Sequence, residues 1–168
     1  MDNIILIGMP GCGKSSIGVV LAKVLAYDFI DSDILIQEKE GKKLSEIVDT
    51  LGPWGFNKIE DEINASIEVT KTVIATGGSA VHGEKAMIHF RKAGVVIYLK
   101  LPYEEIEKRL GVDFRNRGIS IEDNKTIKEL YDERVPLYEK YAHLTVETEG
   151  LSIRETVNLL EKKLNEFG

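Results

Sequence analysis

The most constraining stretch of this chain is "GMPGCGKSS" at positions 8–16, three glycines and a lysine set directly after the apolar run "NIILI". It satisfies G-x-x-x-x-G-K-[ST] through Gly8, Gly13, Lys14 and Ser15. Backbone N–H groups converge on one anion only where the chain turns tightly with no side chain in the way, and glycines permit that turn. The helix expected next aims its unsatisfied N-terminal N–H groups and positive dipole end at the same spot. Strand, loop and helix in this order form a nucleotide phosphate cradle from Gly11, Cys12, Gly13, Lys14, Ser15 and Ser16. Lys14 reaches the outer phosphates and Ser15 is placed to coordinate Mg²⁺. A chance match in a chain of this length is on the order of one in a hundred, and a bare structural turn is the alternative. A thiol near a helix N-terminus, as at Cys12, is reactive when its pKa is depressed and otherwise an inert loop residue, and the motif leaves that position free.

Five apolar, β-branched runs lie along the chain, at 3–8, 28–31, 72–77, 95–101 and 144–148. Amphipathic segments separate most of them, which predicts an α/β fold with a mostly parallel sheet. Ile17, Val20, Leu21 and Val24 mark one helical face toward that sheet, and Ile153, Val157, Leu160 and Leu164 another. No repeat, low-complexity tract or linker divides the 168 residues, so a single domain spanning 1–168 is expected.

A formal charge of −6 argues against a nucleic-acid binder, since such domains carry a basic face. One cysteine allows no internal disulfide, and His82, His89 and His143 lack metal-ligand spacing. No run approaches the roughly 20 apolar residues of a membrane span, and the opening "MDNIILIGMPG" lacks a basic n-region. The expectation is a cytoplasmic protein, a monomer, with a small-molecule partner and no membrane or nucleic acid.

A phosphate cradle alone does not separate a kinase from a hydrolysing switch. In "DSD", Asp31 and Asp33 are two apart, so an extended segment would point both toward one site at the sheet's C-terminal edge. One carboxylate can then hold Mg²⁺ and the other accept a hydrogen bond from an attacking hydroxyl, with a helix N-cap as the alternative. Gly77 and Gly78 in "ATGGSA" suit close approach of backbone to a ligand, or a turn entering a helix.

The cradle, "DSD", "GFNKIEDE" at 55–62, "ATGGSA" at 75–80 and "ERVPLYEKYA" at 133–142 follow one another as in the shikimate kinase family, and the chain resembles that family over nearly its whole length. The resemblance implies a P-loop fold of the nucleoside-monophosphate-kinase type, with a five-stranded parallel sheet flanked by helices. It implies an acceptor-binding helical region at about 33–62 and a mobile lid at about 111–124. The activity it implies is transfer of the ATP γ-phosphoryl to a shikimate hydroxyl. By position, Lys14 and Ser15 would serve phosphates and Mg²⁺, Asp31 would assist the metal, and Asp33 would hold the acceptor hydroxyl and serve as base. Gly77 and Gly78 would line the acceptor pocket, Arg134 would pair with the substrate carboxylate, and Arg109 would lie against the adenine.

Three departures fall on the acceptor side. The family's F-R-x-x-E reads Phe56-Asn57-Lys58-Ile59-Glu60, so a carboxylate-clamping arginine is replaced by an amide, and Lys58 lies about 100° around a helix from it. A charge-assisted bond is worth on the order of 1.5 to 3 kcal/mol against roughly 1 for a neutral one. The family's third glycine is Ser79, which adds a hydroxyl to the predicted pocket. The family's lid R-P-L-L is absent from "FRNRGIS"; an ungapped count puts Asn116 on its arginine, leaving Arg115 or Arg117 as the cation on the transferring phosphoryl, with a solvated surface role as the alternative. Two further readings compete: a same-fold kinase for another polyol or hydroxy acid, and a module that binds ATP without transferring phosphate.

Overall fold

The computed structural model describes residues 2–111 and 125–168. Strands β1 (Asn3–Ile7), β2 (Asp28–Asp31), β3 (Thr72–Ala75), β4 (Gly94–Lys100) and β5 (Leu144–Glu147) pair in the order β2-β3-β1-β4-β5. Every pairing is parallel, with Ile5 between Ile74 and Val96. A sheet covered on both faces favours near-continuous apolar runs, and β1 and β3 are buried throughout, their polar first residues joined by a hydrogen bond from Thr72 N–H to Asn3 Oδ1.

The crossovers run through helices α1 (Lys14–Leu25), α2 (Ser32–Glu40), α3 (Leu44–Ala65), α4 (Glu84–Ala93), α5 (Tyr103–Leu110) and α6 (Ile127–Tyr141), with a 3₁₀ turn at Ala80–His82, and α7 (Ile153–Phe167) follows β5. The inward face of α1 is carried by Ile17, Gly18, Leu21 and Ala22, while Val24 is exposed at 50%. The expected stripe is therefore turned by about one residue, because α1 packs on α7 as well as on the sheet. Ile153, the first residue of α7, is likewise exposed, whereas Val157 and Leu160 are buried. Both misplaced positions sit near a helix end, where spacing no longer guarantees something to pack against.

One apolar cluster surrounds the sheet, and Ile36, Leu44, Ile47, Phe56 and Ile63 form a second one between α2 and α3. Gly52, at φ 73° and ψ 172°, breaks α3 immediately before Pro53 and redirects its second half. This small helical subregion thus has a core of its own beside the sheet's C-terminal edge. Among the described residues, no helix is long and apolar enough to cross a membrane.

Candidate active site

The loop between β1 and α1 has the cradle's backbone. Gly8, Gly11 and Gly13 have φ of 152°, 80° and 95°, values that side chains resist. The Lys14 ammonium is folded into the loop, donating to the carbonyls of Gly8 (2.8 Å) and Met9 (2.9 Å). The thiol of Cys12 is buried within 3.6 Å of that ammonium and occupies space that a Cβ at Gly8 would need, so it is packing of the loop wall. Ser15 and Ser16 are exposed at the start of α1. From α5, Arg109 reaches over the loop and donates to the Gly11 carbonyl at 3.2 Å while pairing with Glu105.

Asp31 and Asp33 do not share an extended segment. Asp31 ends β2 and Asp33 lies in the first turn of α2. Asp31 Oδ1 caps that helix, accepting from the backbone N–H groups of Asp33 (3.0 Å) and Ile34 (3.4 Å). Its Oδ2 accepts from the Ser15 hydroxyl at 2.8 Å, so one carboxylate both caps α2 and meets the first turn of α1. Burial and the neighbouring Asp31 push the Asp33 carboxyl up to about 6, against the pull of the Lys14 ammonium.

The glycines after β3 are explained by the chain's own side chains. A Cβ at Gly77 would lie 2.6 Å from Asp33 Oδ1 and 3.1 Å from Glu60 Oε2, and one at Gly78 would lie 2.5 Å from Pro10 and 3.1 Å from Arg134 Nη1. The close approach expected for a ligand is made first by Asp33, Glu60 and Arg134. Gly77 also opens the 3₁₀ turn, its carbonyl accepting from Ala80 N–H.

The Ser79 hydroxyl is buried and turned inward, donating to Glu60 Oε1 at 2.7 Å. Glu60 is 1% exposed and its Oε2 has no hydrogen-bond partner among the described residues. Burial, and then the charge of Asp33, push its carboxyl up to about 8, although Ser79 and the Arg134 guanidinium pull the other way. Arg134 itself is 1% exposed on α6, and one turn on, Tyr138 donates to the Gly78 carbonyl at 2.6 Å.

Beside these groups opens a cavity of about 200 Å³ lined by Pro53, Trp54, Asn57, His82, Lys125, Leu130, Glu133 and Arg134. Of the predicted acceptor residues, Asn57 and Arg134 line it, whereas Asp33, Gly77, Gly78 and Ser79 adjoin it through Glu60 and Arg134. Lys58 is exposed and takes no part. Arg115, Asn116, Arg117 and all of the predicted lid but Gly111 lie outside the described residues. Sequence reasoning missed Glu60, Tyr138, Trp54, His82 and Lys125. The spacing of Arg134 and Tyr138, one helical turn apart, was a usable signal for Tyr138.

The shikimate kinase family model matches residues 10–165. A shikimate kinase of Clostridium botulinum (strain 657 / Type Ba4) is 41% identical over 150 residues, 87% of either chain. One of Thermodesulfovibrio yellowstonii is 38% identical over 165 residues, covering 97% of this chain and 95% of that protein. Among solved structures, shikimate kinase from Acinetobacter baumannii in complex with shikimate superposes with a TM-score of 0.88 at 29% identity, over 99% of this chain and 94% of that one. The Aquifex aeolicus enzyme gives 0.80 at 28% identity, over 97% and 96%. With the motifs, the parallel five-stranded sheet and these likenesses agreeing over almost its full length, this chain belongs to the shikimate kinase family.

Proposed function

We propose that this chain transfers the γ-phosphoryl group of ATP to a hydroxyl of shikimate, acting as a small-molecule kinase. The observation that carries this is the adjacency of two differently built corners at one sheet edge. A glycine-shaped anion cradle holds Lys14, and next to it Asp33 lies within the electrostatic reach of that lysine.

In this function the loop N–H groups and Lys14 hold the phosphates and meet charge developing on the transferring group. Asp33 accepts the hydrogen bond of the attacking hydroxyl, and its raised pKa suits a group that takes a proton near neutral pH. Arg134 holds the carboxylate, Gly77 and Gly78 let Asp33 and Arg134 pack close beside the acceptor, and Arg109 lies against the adenine. Arg117 or Arg115 serves the phosphoryl group from the lid.

The donor set fits Mg²⁺. Ser15 Oγ and Asp31 Oδ2 are hard oxygens 2.8 Å apart beside the cradle. No group of three or more His, Cys, Asp or Glu that could hold a metal occurs among the described residues. Mg²⁺ needs none, since it keeps waters and binds one or two protein oxygens together with substrate phosphates. Bound there, it would neutralise phosphate charge. The same function carries with it one domain, acting as a cytoplasmic monomer on a small-molecule acceptor.

Asn57 in the cavity wall favours a second reading, a kinase of this fold for another hydroxylated carboxylate. ADP release by the purified chain with MgATP, with and without shikimate up to several millimolar, decides between them. Saturable shikimate-dependent turnover supports the first. ATP binding without it moves the acceptor to another polyol or hydroxy acid.

A further inference from the structure

The acceptor cavity carries two fixed cations, Arg134 on its floor and Lys125 at its rim, and one carboxylate, Glu133. Arg134 is almost wholly buried and already shares its surroundings with Glu60, Gly78 and Tyr138. Lys125 is of a different kind. It stands one residue before Thr126, which caps α6 through a reciprocal capping box with Glu129, so its backbone is anchored to the helix that bears Glu133 and Arg134. Its side chain is only 23% exposed, and its ammonium donates to Glu133 Oε2 at 2.9 Å.

We propose that Lys125 is a second carboxylate-binding cation of this cavity, closing on the acceptor's carboxylate from the rim while Arg134 holds it from the floor. An ammonium has three donors, so it can serve Glu133 and a substrate carboxylate together. Glu133 then draws the flexible lysine stem down beside the opening before the acceptor arrives, which lowers the ordering cost at binding. Asn57, on the same wall, supplies a neutral amide that orients the carboxylate without adding charge. Compared with a guanidinium fork, a lysine is a point charge, so it fixes the carboxylate's position more than its plane.

The inference rests on the acceptor being a carboxylate, as the proposed function has it, and the test separates the two. Trp54 is the chain's single tryptophan and lines the cavity, so its fluorescence reports acceptor binding without ATP. Shikimate and its neutral carboxamide are titrated against the intact chain and against Lys125→Met and Lys125→Arg, with steady-state kinetics in parallel. Lys125→Met is expected to raise the Kd and KM for shikimate about tenfold, the size of one charge-assisted contact in a partly covered site. The KM for ATP should not move, the loss should fall in KM rather than kcat, the carboxamide should bind both forms alike, and Lys125→Arg should recover most of the affinity. Equal weakening of acid and carboxamide, or no change with either, overturns the role of Lys125 while leaving the function standing. Absence of shikimate-dependent turnover in the unmodified chain overturns both.

Discussion

Glu60 offers the sharpest quantitative check on the site. Its carboxyl is 1% exposed and is pushed from an ordinary 4.5 up to about 8, chiefly by loss of water and then by the nearby Asp33 charge. Between those two pH values the folded chain holds a proton on Glu60 that the unfolded chain has released. Stability therefore falls as pH rises, by about 1.4 kcal/mol per unit for this one group. It is fully present below about 4.5 and lost on passing 8, a total on the order of 5 kcal/mol. Asp33, raised to about 6, adds a loss of the same sign, complete at lower pH.

Glu60→Gln removes the titration while keeping an acceptor for the Ser79 hydroxyl. The amide's fixed geometric cost shifts its whole curve without tilting it, so the slope is the diagnostic quantity. Urea unfolding of both forms at half-unit steps from about pH 5 to 8.5 should show the variant gaining on the wild type by roughly 3 to 4 kcal/mol across the range. A difference that stays flat would mean that the Arg134 guanidinium keeps Glu60 ionised throughout, and that the burial argument is wrong.

Three other outcomes follow from the same geometry. As the proposed base, Asp33 has to be ionised to take a proton, so kcat/KM for shikimate should fall below a pH of about 6 with a single-proton slope; Asp33→Asn should abolish transfer and leave ATP affinity within about twofold, and an unchanged acid limb would remove Asp33 from the role of base. Gly77→Ala puts a methyl 2.6 Å from Asp33 Oδ1, so the carboxylate must move; a displacement of about 1 Å costs on the order of a hundredfold in kcat with ATP binding preserved, and wild-type kinetics would count against the placement of Asp33. Lys14→Met removes both the cation and the clamp on the Gly8 and Met9 carbonyls, so turnover should drop by at least about a hundredfold and calorimetry should find ATP binding weakened; near-normal activity would refute the cradle assignment.

The glycine loop and its helix were legible in the sequence because their requirements are local. Three positive-φ glycines, a following helix and one lysine are all written within nine residues, and no distant contact is needed to infer the turn. The sheet was legible for a similar reason, since strands covered on both faces read as continuous apolar runs. The candidate acceptor side brings together Asp33, Glu60, Gly77, Ser79 and Arg134 from four segments whose relative placement only packing decides. Ser79 shows the consequence. As a departure from the family pattern it reads as a change to the pocket lining, yet its hydroxyl turns inward to Glu60. Lys125 and Trp54 carry no motif at all and become visible only when α6 and the second half of α3 enclose a cavity.

Asp31 shows why residue type alone could not have chosen between the structural and the functional alternatives. A carboxylate has two oxygens, and here they point to different work: Oδ1 closes the N-terminus of α2, and Oδ2 meets Ser15 at the start of α1. The cap fixes the carboxylate's rotation, and that rotation is what aims the second oxygen at the cradle. The same cap sets the first turn of α2, where Asp33 is held against Gly77. One capping carboxylate thus orders both the contact to Ser15 and the helical turn that carries Asp33, so a structural role at Asp31 holds the geometry that the proposed function requires.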